Sequence, residues 1–207
     1  MEFGRMSMSE HNDDLPECWP RIGDRLFVQN CGSLDANIAT FRGERIYRMK
    51  KAYKNAADLL VAYTEKNVHE RCNLVWPIVF CYRQYIELAL KDAVNEYGGK
   101  VDPKIKLPFR HEFKDLWPLY KRIICSVIIA DEVPEISAVE ACIYEFEKID
   151  SGSYTFRYPT NKKGAQIDIP YNSIDLFHIQ EVMEGIYNFL DCSEEVLDAH
   201  FNPRQEG

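Results

Sequence analysis

Between Cys72 and Gly98 the chain is apolar on nearly every helical face, and a single ionic line crosses it: Arg83, Glu87, Lys91 and Asn95. A four-residue step keeps side chains on one face of a helix, so these groups align while Val79, Tyr82, Ile86, Leu90, Ala93 and Val94 occupy the remaining faces. A helix that is apolar almost all round belongs at the centre of a bundle. Charge on such a helix has to be paired, or has to face a cleft or a partner. The spacing predicts a central helix that starts near Asn73 to Pro77, where proline suits a first turn. Gly98-Gly99 is the expected stop.

The flanking pattern predicts an all-α fold, an up-and-down bundle of about five helices with a small β-hairpin inserted before the last. Residues 1–33, with Pro16 and Pro20 around Trp19, read as an N-terminal arm. A helical domain is expected over 34–192. Its first helix runs from about Asp35 to Lys66 on Ile46, Met49, Tyr53, Ala56 or Ala57, Leu60 and Tyr63. A loop over 99–111 leads to a third helix from about Glu112 to Ala130, and Pro134 precedes a fourth carrying Ile136, Val139, Ile143 and Phe146. Near Ser151-Gly-Ser153 the period changes to two, with Tyr154, Phe156 and Tyr158 alternating with polar residues and Ile167 and Ile169 flanking Asp168. Pro159 to Gly164 supplies turn residues, which places a hairpin at about 153–170. Asn172 or Ser173 is the expected cap of the fifth helix, with Asp175 in its first turn and Leu176, Ile179, Met183, Ile186 and Leu190 buried. Residues 193–207 read as a polar tail.

Charge and motif content narrow the function. A net charge of −8 over 207 residues argues against a general nucleic-acid coat, although local patches can still hold phosphate. Seven cysteines without CxxC spacing fit neither structural zinc nor a disulfide framework and suit a reducing, cytoplasmic setting. No segment has the ~20 apolar residues of a membrane span, so no membrane partner is expected. There is no glycine-rich phosphate loop, HExxH or GxSxG, and the five histidines lack metal-ligand spacing, so no metal or cofactor is expected.

Three groups carry candidate chemistry. His111 opens the third helix; it is either a capping and packing residue or a titratable ring beside Arg83 in the bundle cleft. Arg42, Arg45, Arg48, Lys50, Lys51 and Lys54 form a cationic stretch opposed by Glu44; helical projection spreads it round the circumference, as a solvated face or a phosphate-contacting edge. In Phe156-Arg157-Tyr158-Pro159, Arg157 either pairs across the hairpin with Asp168 or recognises phosphate or a base beside its aromatic neighbours. The binding candidates are therefore Arg83, Glu87, Lys91, Arg157 and Tyr158, and the catalytic candidates are Arg83, His111 and Arg157.

The order of these strings (Tyr82-Arg83-Gln-Tyr85-Ile86-Glu87-Leu88-Ala-Leu90-Lys91, His111-Glu-Phe-Lys-Asp-Leu116, then Asp150-Ser-Gly-Ser153 leading into Phe156-Arg157-Tyr158-Pro159) resembles the HEPN superfamily of prokaryotic helical-bundle proteins over about residues 70–190. The resemblance implies an up-and-down bundle, frequent homodimerisation, and roles in toxin–antitoxin and antiphage defence. It also implies RNA, a nucleotide or a partner protein encoded nearby as the contact. Many members are metal-independent ribonucleases with an Arg-x4-6-His motif near the last bundle helix. Here that pattern is met only by Arg5-x5-His11, in the arm. A binding or assembly protein is the leading expectation, with an endoribonuclease built on a rearranged Arg/His site as the alternative.

Overall fold

The structure is a computed structural model that describes residues 22–27, 36, 38, 44–129, 133–161 and 163–203. It divides into two units, Met1–Ala39 and Thr40–Gly207. In the first, the described residues form a turn at Ile22 and Gly23. The remainder of the expected arm, with Arg5, His11, Pro16, Trp19 and Pro20, lies outside the described residues, as does Arg42 of the cationic stretch.

The second unit is a helical bundle of five α-helices: α1 (Glu44–Lys66), α2 (Arg71–Val101), α3 (Phe113–Ile124), α4 (Glu135–Ile149) and α5 (Leu176–Phe201), with a 3-10 turn (Val68–Glu70) between α1 and α2. As its all-round apolar pattern requires, α2 is the central element: α1, α3 and α5 all pack against it. Ile78, Tyr82, Ile86 and Leu90 of α2 are completely buried and meet Val61 of α1, Trp117 of α3 and Met183 of α5 in one core. No described helix is long and apolar enough to cross a membrane.

Several sequence expectations need correction. The first helix does not begin at Asp35, since Ala36 and Ile38 are not helical. Its buried line is Lys50, Lys54, Ala57, Val61 and Thr64, leaving Met49 and Tyr63 exposed. Two lysines therefore point inward because acids on α2 and α5 receive them. Helix α2 starts earlier, so Pro77 lies inside it, and it runs through Gly98 and Gly99 to Val101. Gly98 serves packing there: a Cβ would stand 2.7 Å from Ile105 Cγ2, so the post-helix loop closes on bare backbone. Helix α3 ends at Ile124, short of Ala130.

Asp175 is itself the cap of α5, accepting from the N–H groups of Phe177 and His178. The predicted polar tail is helical as far as Phe201, because Ser193 and Leu197 are buried against the bundle. Among the described residues no strand forms. The expected hairpin is reduced to one antiparallel bridge between Thr160 and Gln166. Tyr154 to Tyr158 wind as a helical turn instead, with Tyr154 O accepting from the N–H groups of Arg157 and Tyr158.

Candidate functional site

Arg83 has no solvent exposure, and each of its guanidinium nitrogens is engaged within the protein. Nε donates to Asp150 O at 3.0 Å, Nη1 to Glu87 Oε2 at 2.9 Å, and Nη2 to His111 O at 2.8 Å and Ser151 O at 3.4 Å. The Phe113 ring lies under the guanidinium at 4.5 Å. A planar fork of donors suits this three-way junction, which ties α2 to the loop before α3 and to the chain leaving α4.

Glu87 is the second hub. Its Oε1 receives Lys91 Nζ at 2.7 Å and meets His111 Nδ1 at 2.6 Å. Burial pushes the Glu87 carboxyl up. The hydrogen bonds from Lys91 and His111 and the charges of Lys91 and Arg83 outweigh this, and hold it below the ordinary carboxylate value. His111 does not cap α3; its ring lies half in solvent against Glu87, and the N–H of Phe113 is capped instead by Glu147 Oε2 at 2.7 Å. Glu147 keeps its other carboxylate oxygen buried without a partner among the described residues, and desolvation pushes its carboxyl up. Asn95, the last member of the line, is exposed.

Asp150 was not singled out by motif chemistry, yet it carries the next layer. Its Oδ1 accepts from the N–H groups of Tyr154 at 2.6 Å and Thr155 at 3.0 Å, while Oδ2 lies 3.4 Å from Arg83 Nε. Ser153 adopts φ +60°, which turns the chain sharply at this point. The turn that follows rests on α2: Phe156 is buried against Trp76, with centroids 6.2 Å apart, and Arg157 lies over Phe80 at 5.5 Å.

Arg157 is exposed. Nε donates to Ser153 O at 2.5 Å, and the rings of Tyr154 and Tyr158 flank the guanidinium at 5.4 and 5.5 Å. Its two terminal nitrogens have no hydrogen-bond partner among the described residues. Asp168 does not pair with it. An exposed arginine fixed by one backbone bond and flanked by aromatic rings keeps two terminal nitrogens of the kind that can donate to an anion. The structure thus brings Arg83, Glu87, Lys91 and His111 into one network and places Arg157 with Tyr158 on a separate exposed face. No hydrogen bond or ion pair joins Arg157 to the network residues among those described.

The sequence reading also missed an ionic seam. Lys50 donates to Asp92 at 2.9 Å and Glu194 at 2.5 Å, and Lys54 donates to Asp58 at 2.7 Å and to Glu184. Both lysines are buried, so neither is available to a phosphate. The recoverable signal was their place on the same helical line as Ala57, Val61 and Thr64. Among the described residues no group of His, Cys, Asp and Glu is arranged to hold a metal ion.

Comparison with known proteins adds no relative: no family model matches the chain, and no significant match exists among curated proteins or solved structures.

Proposed function

We propose that this chain is a HEPN-like binding and assembly protein of a prokaryotic antiphage-defence or toxin–antitoxin system, acting in the cytoplasm and contacting RNA or a nucleotide through Arg157 and Tyr158. The observation that carries this reading is the exposed Arg157 guanidinium beside the Tyr154 and Tyr158 rings, whose two terminal nitrogens have no hydrogen-bond partner among the described residues. Phosphate suits the fork, and a base suits the exposed face of Tyr158. The defence setting follows from the sequence resemblance. A toxin, nuclease or nucleotidyltransferase gene beside this one supports it, and a metabolic operon removes it.

The direct test is fluorescence anisotropy with a short labelled single-stranded RNA, and with labelled ATP. Wild type should bind one of them, and Arg157→Ala should weaken that binding about tenfold, the loss of a bidentate contact. Tyr158→Ala should cost a similar amount if a base stacks there. No binding of either probe, or unchanged affinity in Arg157→Ala, overturns the proposal and leaves a partner protein as the contact.

The same reading includes a homodimer. Leu59 and Tyr63 are exposed on α1, and Val68 and Trp76 are exposed beside it. A two-fold pairing would cover such apolar surface. Light scattering that shows only monomer at micromolar concentration refutes this part.

One observation favours the alternative of a metal-independent ribonuclease. His111 is held through one ring nitrogen by buried Glu87, the arrangement that orients a general base. Arg83 cannot serve as the cation for a phosphorane, since its donors are spent inside; Lys91, with a partly exposed side chain, is the nearer candidate. EDTA-resistant RNA cleavage that disappears in His111→Ala would establish this activity. The binding reading expects none.

A further inference from the structure

Between α4, α5 and the connection 150–175 lies a hollow of about 260 Å³ that the Arg157 face does not use. Its floor is core: Val79 of α2, Phe156, and Met183 and Ile186 of α5 are almost fully buried. Protein interiors leave few voids larger than a water. An engineered apolar cavity of about 150 Å³ takes up benzene, so by that scale this recess holds roughly ten non-hydrogen atoms. An apolar recess with a few polar groups at one edge is the usual form of a small-molecule site.

The polar edge is acidic. Glu145 on α4 is exposed and accepts from Tyr171 Oη at 3.1 Å. Asp175 gives one oxygen to the α5 cap, and its other oxygen has no hydrogen-bond partner among the described residues. The two cap hydrogen bonds hold its carboxyl below the usual range, so it is charged at neutral pH. Among the described residues, His178, Cys142 and Tyr171 are the other titratable side chains that line the hollow, and no lysine or arginine does. Beyond His178, the charge of Arg71 also acts on Asp175, and its guanidinium is turned onto the Phe177 ring at 5.2 Å.

We propose that this hollow is a binding site for a small aromatic or alkyl amine, with its apolar body against Phe156 and Ile186 and its ammonium at the edge that carries Glu145 and Asp175. The apolar walls select for the body, and the two carboxylates that line the hollow select the charge of the head. A carboxylate of similar shape would meet like charge and is excluded.

The test uses the full chain and three probes: 2-phenylethylamine, the isosteric 2-phenylethanol, and 3-phenylpropionate. Trp76 packs on Phe156, so tryptophan fluorescence reports occupancy, and calorimetry checks it. The amine should saturate the site, the alcohol should bind about tenfold more weakly, and the propionate weaker still. Glu145→Gln, an exposed substitution that the fold tolerates, should bring amine and alcohol close together. Val182→Trp should fill the hollow and abolish binding of all three, with the circular dichroism spectrum retained. Lys163→Ala, an exposed substitution outside both sites, should bind the amine as wild type does, so a general loss of surface charge does not account for the Glu145→Gln result. Absence of saturable amine binding up to roughly 10 mM, equal binding of the propionate, or an amine preference that survives Glu145→Gln overturns the proposal. If Val182→Trp fails to fold, the Glu145→Gln comparison decides alone.

Discussion

Replacing Arg83 by alanine removes the junction of three segments at once. Glu87 loses its Nη1 partner and Asp150 O its donor in a buried place, while His111 O and Ser151 O lose theirs in a partly buried one. Breaking a buried ion pair from one side costs about 3–5 kcal/mol, and each orphaned buried acceptor adds about 1–3 kcal/mol when water cannot reach it. Two features reduce the total. Glu87 keeps Lys91 and His111, and the space vacated by the guanidinium can admit water to the carbonyls. The expected loss is therefore near the lower end, about 3–4 kcal/mol, which for a chain of this size lowers Tm by about 10 °C.

The assay is urea unfolding followed by far-UV circular dichroism, with thermal melts alongside. Arg83→Lys retains the charge but not the planar fork, so its loss should be intermediate. Arg83→Ala/Glu87→Ala should cost less than the sum of the single changes, because the Arg83–Glu87 pair is then removed from both sides, while Asp150 Oδ2 loses Arg83 in the single and double variants alike. A midpoint for Arg83→Ala within about 0.5 kcal/mol of wild type refutes the assignment of Arg83 as an internal tie. So does a strictly additive cycle.

Other perturbations have equally definite signs. Gly98→Ala should destabilise by about 1–3 kcal/mol through the clash with Ile105. Gly99→Ala meets nothing within 4 Å and should stabilise by about 0.5–1 kcal/mol; equal melting shifts for the two variants would contradict the packing role of Gly98. The Glu87 carboxyl lies below the ordinary glutamate value of 4.5 when folded, so its contribution is complete above about that pH and is lost as pH falls through the folded value. Urea midpoints from pH 6 to 3 should drop with a slope that Glu87→Gln flattens; an unchanged slope in the variant would exclude Glu87 as the source. Glu147 is shifted the other way by desolvation, so its ionisation weakens the fold as pH rises through the raised value. Glu147→Gln keeps an acceptor for the Phe113 N–H and should be more stable than wild type at pH 7, with the gain vanishing below about pH 4.5. A destabilised Gln variant at neutral pH would show that the charge itself is needed.

What the sequence made legible depended on whether the decisive partner was close in the chain. The α2 line was readable because a four-residue step puts Arg83, Glu87 and Lys91 in mutual reach, and those pairs form. Lys50 and Lys54 were not, because three of their four partners, Asp92, Glu184 and Glu194, lie 42 to 144 residues away. A local projection sees six cations and one acid there, and assigns them to solvent. The hairpin failed for a similar reason. Tyr154, Phe156 and Tyr158 alternate as a strand would, but the aspartate at 150 takes the N–H groups of Tyr154 and Thr155 and bends the chain into a turn. Asp150 is itself held by Arg83, 67 residues earlier, which no local pattern records. Gly98 misled because a helix stop and a close approach both select glycine, and only the position of Ile105 separates the two.

The same long-range tie links the buried network to the exposed face. Trp76, Phe80 and Arg83 stand on successive turns of α2 and touch Phe156, Arg157 and Asp150 respectively. Arg157 is therefore presented by a turn whose geometry rests on α2 rather than on a β ladder. Rigid presentation raises affinity by lowering the ordering cost of binding. If the turn loosens when Arg83 is lost, Arg83→Ala should bind the anisotropy probe of the wild type about tenfold more weakly at a temperature where both proteins are folded. Amine binding in the α4–α5 hollow should fall as well, since Phe156 forms part of its floor. Glu87→Gln leaves Asp150 and its bonds to Tyr154 and Thr155 in place, so it should lose stability without losing either ligand. Equal ligand affinities in folded Arg83→Ala and Glu87→Gln would mean that the turn holds its shape without Arg83, and that α2 supports the exposed face through Trp76 and Phe80 alone.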